Sequence, residues 1–279
     1  MEIGIDLGGT NIRAGLVKDG VIIKKEIVPC PSQAIEQDVL LCLESLVDRM
    51  MCPEVKGIGV GVPSVVDVKE GIVYNVMNIP SWKEVPLKGL LEKRFSIPVY
   101  INNDSNCFSL GVKQFGEGQP YHNVVGVTLG TGVGTGIIIN DKLYGGQNTG
   151  AGEIGSLPYL IHDFEHYCSS AFFVRYYNTT GKEVAAKATA GDVHALEIWK
   201  EFGSHLGELM KAILFTYDPE AIIIGGSIAS AFTFYETSMW KTISTFPYME
   251  TVKRIKIIVS QIKDVALLGA SALVNNAMI

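Results

Sequence analysis

Apolar and polar positions alternate over residues 3–7, with Ile3, Ile5 and Leu7 on one face, and a second alternating run follows the Gly8-Gly9-Thr10 corner. A period of two marks half-buried strands, so the pattern predicts a β-hairpin whose corner exposes backbone N–H groups. Asp19-Gly20 is a turn signal leading into a third strand over 21–28, completing an antiparallel meander. The same spelling returns without a gap over residues 125–141: Val125, Val127 and Leu129 replace Ile3, Ile5 and Leu7, Gly130 replaces Gly8, and Asp141 replaces Asp19. An internal duplication of this kind predicts one structural device used twice.

Between the copies the period changes to helical from Ser32, a candidate cap, with Ile35, Val39, Cys42 or Leu43, Leu46, Val47 and Met50 on one face. A strand over 57–62 runs into Pro63-Ser64, and a short buried strand over 98–101 ends at Asn102-Asn103-Asp104 before a helix over 105–115. The second half repeats the plan: a hairpin over 123–144, a glycine-rich crossing over 145–155, and a long amphipathic helix over 192–217 stopped by Asp218-Pro219. A buried strand over 221–224 then reaches the sharp turn Gly225-Gly226-Ser227, and a strand over 255–259 precedes an apolar helix. The fold class expected is α/β, a duplicated two-lobed plan of mixed sheets flanked by helices. Residues 1–117 form the first lobe, completed by a helix over 265–279, and residues 118–264 form the second.

With 279 residues, 47% of them hydrophobic, the chain can bury two cores. Its formal net charge of −6, with Lys and Arg scattered, argues against nucleic acid and anionic membranes as partners. Five cysteines, an odd number without CxxC spacing, argue against a disulfide framework and fit a reducing cytoplasm. Met1 stands directly before the first strand with no signal-like segment, so a soluble cytoplasmic protein is expected.

The two corners differ where chemistry would be carried. Asp6 in the first becomes Thr128 in the second, so one copy offers a carboxylate for a magnesium-bound water and the other offers neutral donors for phosphate oxygens. Two such corners suit a polyphosphate held by two related domains, with two ordinary glycine-rich hairpins as the alternative. The run Gly130-Thr131-Gly132-Val133-Gly134 lacks the spacing of a dinucleotide fingerprint and the following helix, and no Gly-Lys-Ser/Thr completes a P-loop. Asp104 stands where a buried strand gives way to a helix, the place where open α/β sheets present ligand-facing groups. A carboxylate there can take the proton of a hydroxyl during phosphoryl transfer, or Asp104 or Asn103 can simply cap the helix. Gly225-Gly226 leaves room for a flat nucleobase or ribose, or makes only a turn. His162, His166 and Cys168 lie close together, but a structural zinc takes four ligands and no further Cys or His follows.

Taken in order, these pieces resemble a sugar kinase of the ROK family (repressor, open reading frame, kinase), within the sugar kinase/Hsp70/actin superfamily. The resemblance rests on Asp6-Leu7-Gly8-Gly9-Thr10-Asn11-Ile12-Arg13, Gly61-Val62-Pro63, Asn78-Ile79-Pro80 with Trp82, Asn103-Asp104-Ser105-Asn106, the corner over 130–136, Gly152-Glu153-Ile154-Gly155, and Asp218-Pro219-Glu220 through Gly225-Gly226. It implies a duplicated actin-like, ribonuclease H-like fold with a central cleft, a hexose held between lobes, and ATP held mainly by the second. Asp104 would be the general base, and Pro63, Asn78, Asn103, Asp104 and Glu153 would meet the sugar, phosphorylated at its 6-hydroxyl. Gly8, Gly9, Thr10, Asn11, Gly130, Thr131 and Gly132 would line the phosphates, Gly225 and Gly226 would approach adenosine, and Asp6 would place Mg2+ through water. A homodimer is implied too.

The chain also departs from the family. Where most members carry His after Gly-Glu-x-Gly, and later a cysteine-rich zinc motif ending in a sugar-binding Glu, this sequence has Ser156, a single Cys168, and Ser170 at the position that aligns with the Glu. No zinc site is therefore expected, and the preferred hexose does not carry over. The alternatives to a kinase are a sugar-sensing regulator of the same family, whose members carry an N-terminal helix-turn-helix, and a non-catalytic sugar-binding protein.

Overall fold

The computed structural model describes residues 1–276 and divides into two compact units. One comprises Met1–Pro120, Gly136–Ala151 and the described residues from Gln261 onward. The other comprises Tyr121–Thr135 and Gly152–Ser260.

In the first unit β1 (Glu2–Leu7), β2 (Asn11–Lys18) and β3 (Val21–Pro29) form the meander. Its β2–β3 turn uses Asp19 and Gly20, both at positive φ (51° and 77°), as a tight hairpin demands. The helix foreseen from Ser32 begins instead at Glu36: residues 31–34 make a turn closed by the Ala34 N–H on the Pro31 carbonyl, and the N-cap of α1 (Glu36–Met50) is Ile35, with no side-chain cap. Then follow β4 (Ile58–Val62) and a small antiparallel sheet of β5 (Val65–Asp67), β6 (Ile72–Tyr74) and β7 (Glu84–Val85), which the apolar pattern had not revealed. Next come α2 (Leu87–Phe95), β8 (Val99–Asn103) and α3 (Asp104–Phe115). The main sheet runs β3-β2-β1-β4-β8, with β1, β4 and β8 parallel. One face sends Ile3, Ile5, Val60 and Ile101 into a core with Leu43, Leu46 and Val47 of α1 and the fully buried Trp82. Each of these aliphatic side chains contributes about 1.5–3 kcal/mol by leaving water.

β9 (Val124–Leu129) opens the second unit, and β10 (Val133–Ile139) crosses back into the first, where it turns through Asn140 and Asp141, both at positive φ, into β11 (Lys142–Leu143). The second unit resumes with β12 (Pro158–Tyr159), β13 (His162–Asp163), α4 (Phe164–Cys168), α5 (Ser170–Tyr177), α6 (Gly181–Thr189) and α7 (Val193–Tyr217). Asp192 caps α7 by accepting from the Ala195 N–H at 2.8 Å, and Asp218, at φ 42°, ends it before Pro219. β14 (Ala221–Gly225), α8 (Phe232–Ile243), α9 (Met249–Arg254) and β15 (Lys256–Val259) complete the unit, β14 lying between β9 and β15, parallel to both. Its core is aromatic: Phe172 and Phe173 of α5 pack on Trp199 and Phe202 of α7, with Phe173 and Trp199 ring centres 4.7 Å apart.

α10 (Val265–Asn276) belongs to the first unit, and the last three residues of the helix expected over 265–279 lie outside the described residues. It covers the glycine-bearing face of β1 and β4. A Cβ on Gly59 would lie 2.7 Å from the Ala270 carbonyl carbon, and one on Gly4 would lie 3.0 Å from the Ser271 nitrogen, so the helix sits on the sheet at backbone contact. Among the described residues no helix is long and apolar enough to cross a membrane.

Candidate active site

In the first unit the expected residues gather at the carboxyl ends of three parallel strands. Register sets Asp6 beside Gly61 and Gly61 beside Asn102, with Val62 beside Asn103. Asn103 is the N-cap of α3: its Oδ1 accepts the Ser105 N–H at 2.9 Å, and its Nδ2 donates to the Ser64 carbonyl at 3.2 Å, tying the Pro63-Ser64 turn to the helix start. The capping question left open by the sequence is thereby answered for Asn103. Asp104 is the first helical residue, where the helix dipole favours a carboxylate, and Ser105 Oγ lies 3.3 Å from its Oδ1. Asn102 Oδ1 accepts from the Asn103 N–H and from Asn106 Nδ2, both at 2.8 Å, stiffening the turn from below. Asp6 and Asp104 both act on Cys107, whose thiol is pushed far up by burial first and then by these two carboxylates.

The first corner is closed by the Gly8 N–H on the Asn11 carbonyl at 2.9 Å, leaving Thr10 and Asn11 exposed. Asn78 packs directly over Gly9, where a Cβ would stand only 3.1 Å from its Cγ. Asp6 itself is buried and paired with Arg13, Nη2 to Oδ2 at 2.7 Å. Burial raises its carboxyl above the usual range, Arg13 opposes this, and Asp264 adds to it. Arg13 was not among the expected site residues, yet a hairpin turning over residues 8–10 sets position 6 opposite position 13, as observed. A buried carboxylate next to an exposed glycine corner is a donor set that suits a water-mediated magnesium and phosphate oxygens.

In the second unit, the Gly130 N–H closes the other corner on the Gly132 carbonyl at 3.0 Å. Gly226, at φ 86°, ends β14 against the same corner, where a Cβ would lie 2.7 Å from the Leu129 nitrogen. The expected adenosine turn and the expected phosphate corner are thus neighbours, as the Gly225–Thr128 register requires. Gly226 is exposed and carries no side chain beside the Gly130 end of the corner, which fits a flat group and its phosphates. Glu153 precedes a single 3₁₀ turn, Ile154–Ser156, and Thr135 Oγ1 donates to the Gly152 carbonyl beside it. Although Glu153 reaches solvent, its carboxyl is raised, first by partial burial and then by repulsion from Glu165.

Glu165 was not among the residues expected from sequence. Its Oε2 accepts the Val133 N–H at 3.1 Å, and its carboxyl group fills the space over Gly132. Ser170, expected at the position of the family's sugar-binding glutamate, begins α5, and the carboxylate whose charge acts on Glu153 is Glu165 of α4. The available signal was the Asp163-Phe164-Glu165-His166 run, a cap followed by one helical turn, hidden inside the trio weighed as zinc ligands. Those donors do not fit zinc. His166 has both ring nitrogens engaged, with Asp163 and Arg175 at 2.8 Å each, and Cys168 is fully buried with its thiol pushed far up by that burial. Among the described residues no three His, Cys, Asp or Glu side chains are grouped to hold a metal.

A family model described as ROK family matches residues 2–277. A glucokinase of Streptomyces coelicolor is 30% identical over 266 residues, covering 82% of each chain. A xylose repressor of Bacillus spizizenii is 28% identical over 298 residues, covering 98% of this chain and 76% of the repressor. Among solved structures, a Streptomyces griseus glucokinase in complex with glucose and AMPPNP superimposes with a TM-score of 0.84, at 28% identity over 98% of both chains.

Proposed function

The chain belongs to the ROK family, and from that premise we propose that it is an ATP-dependent sugar kinase that phosphorylates the 6-hydroxyl of a hexose or N-acetylhexosamine. The observation that carries the reading is Asp104: a carboxylate at the first position of α3, with helix capping done by Asn103, in the same strand-end cluster as Asp6, Pro63 and Asn78. In this reading Asp104 accepts the proton of the sugar hydroxyl as its oxygen attacks the γ-phosphorus, and the bond to the β–γ bridging oxygen breaks as ADP leaves. Asn78, Asn103, Glu153 and Glu165 orient the hydroxyls. Gly8, Gly9, Thr10, Asn11, Gly130 and Thr131 receive phosphate oxygens, Gly132 lies under the Glu165 carboxylate instead, and Gly225 and Gly226 take adenosine. Asp6, through water, would hold Mg2+, which neutralises phosphate charge when bound. The first lobe, residues 1–117 with the helix from 265, carries the sugar and phosphate side, and residues 118–264 carry the ATP side. A cytoplasmic homodimer belongs to the same proposal.

The test is an ADP-release screen over glucose, fructose, mannose, allose and the N-acetylhexosamines with ATP and Mg2+. At least one sugar is expected to release ADP well above the sugar-free rate. The repressor relatives give a second reading, a sugar-sensing regulator. Sugar binding by calorimetry with no ADP release from any sugar would overturn the kinase and favour the regulator.

A further inference from the structure

The segment joining β13 to α5 holds a chain of hydrogen bonds that phosphoryl transfer leaves unexplained. Asp163 Oδ1 accepts the His166 backbone N–H at 2.9 Å and lies 2.8 Å from the ring Nδ1, while Nε2 lies 2.8 Å from Arg175 Nη1. A guanidinium only donates, so Nε2 must accept, and the proton of a neutral imidazole then sits on Nδ1, aimed at Asp163. The order runs guanidinium to imidazole to carboxylate. His162 covers one face of the ring, centres 4.3 Å apart and 9° from parallel.

The two ends of this chain are fastened to different elements. Asp163 caps α4, Arg175 belongs to α5, and one extended residue, Ser169, breaks the helix between them. With five residues, α4 is too short to hold its own shape. Phe164, Tyr167 and Cys168 bury its inner side and fix its depth. On its outer side Glu165 must stay over Gly132 to keep the Val133 N–H, and His166, the next residue, is where the relay grips.

We propose that Asp163, His166 and Arg175 form a metal-free brace that sets the orientation of α4 and so holds Glu165 in place for sugar recognition. The proposal rests on the reading of Glu165 as a sugar-binding carboxylate. The three are positioning residues: none touches the reacting atoms, and their effect passes through Glu165.

Titration calorimetry with glucose, mannose and N-acetylglucosamine, followed by kinetics on the tightest binder, tests this on the full chain. His166→Ala should weaken sugar binding and raise the sugar KM by about tenfold, as loss of a supporting hydrogen bond does, while kcat and the ATP KM change little. His166→Gln should restore affinity, because its amide can donate to Asp163 and accept from Arg175. On a Glu165→Gln background His166→Ala should add almost nothing, an outcome that general loosening would not give. Arg175→Met, at an exposed position, cuts the other end of the relay and should raise the sugar KM in the same way even if His166→Ala does not fold. If Glu165→Gln weakens the sugar but His166→Ala and Arg175→Met do not, the brace is refuted and the sugar role of Glu165 stands. If Glu165→Gln leaves every sugar unaffected, both fall. One zinc per chain, with affinity lost on chelation, would also overturn the proposal.

Discussion

Replacing Asp104 by Asn separates chemistry from architecture at this site. Asp104 is the first residue of α3, and the cap is Asn103, whose Oδ1 holds the Ser105 N–H at 2.9 Å. Asn at position 104 keeps the size and the Ser105 contact, and removing the charge from the helix N-terminus should cost the fold about 0.3–1 kcal/mol. For a chain of this length that is a fall in Tm of about 1–4 °C. The rate should drop far more, by about 10²–10⁴ in kcat, because proton transfer in the transition state loses its acceptor. The control is Asn103→Ala, which removes the cap and the bond to the Ser64 carbonyl and should cost about 0.5–2 kcal/mol of stability. The assay pairs coupled ADP release with a thermal melt and sugar calorimetry on each variant. A kcat for Asp104→Asn within about tenfold of the parent would refute the general-base role. A Tm loss for Asp104→Asn well beyond about 4 °C would mean the helix start has been misread.

Glu165→Gln removes the like charge that helps raise the Glu153 carboxyl, so the Glu153 pKa should fall and the acid limb of the kcat/KM profile should move to lower pH; a limb that stays or moves upward contradicts the pairing. Gly226→Ala forces a Cβ onto a backbone at φ 86° and against the Leu129 nitrogen, a strain of about 1–3 kcal/mol. It should weaken ADP binding in calorimetry while sparing sugar binding. Trp82→Ala empties a fully buried site in the first unit and should lower unfolding stability by about 3–5 kcal/mol in a urea melt; a loss below about 1 kcal/mol would mean that side chain is not packed as described.

What the sequence reveals well is whatever has a short period. The two glycine corners, the Asp19-Gly20 turn and the cap-to-helix step at Asn103-Asp104 are written in adjacent residues, and each is found in the expected element. The long helix α7 was legible because its apolar stripe repeats over many turns and its ends carry Asp192 and Asp218-Pro219. Elements of two or three residues escape such reading: β5, β6 and β7 are held by pairing with one another, information that lies in register and not in pattern. Ser32 misleads because it has the chemistry of a cap, but the turn over 31–34 delays the helix. Glu165 was hidden for a related reason. Its neighbours His162, His166 and Cys168 suggest ligation when read along the chain, whereas in space the imidazole is consumed by Asp163 and Arg175, and the carboxylate between them is the group left facing Gly132.

The glycine-lined sheet beneath α10 has a consequence for biosynthesis. During translation the first 120 residues emerge with that face uncovered, and the helix that seals it is synthesised only after the whole of the second unit. Gly4 and Gly59 offer no side chains to shield the strands meanwhile, so the nascent half-domain must wait, loosely formed, for a partner still being synthesised. A chain stalled before residue 261 should therefore be captured by chaperones or cleaved within its N-terminal third, even though every strand of that sheet is already present.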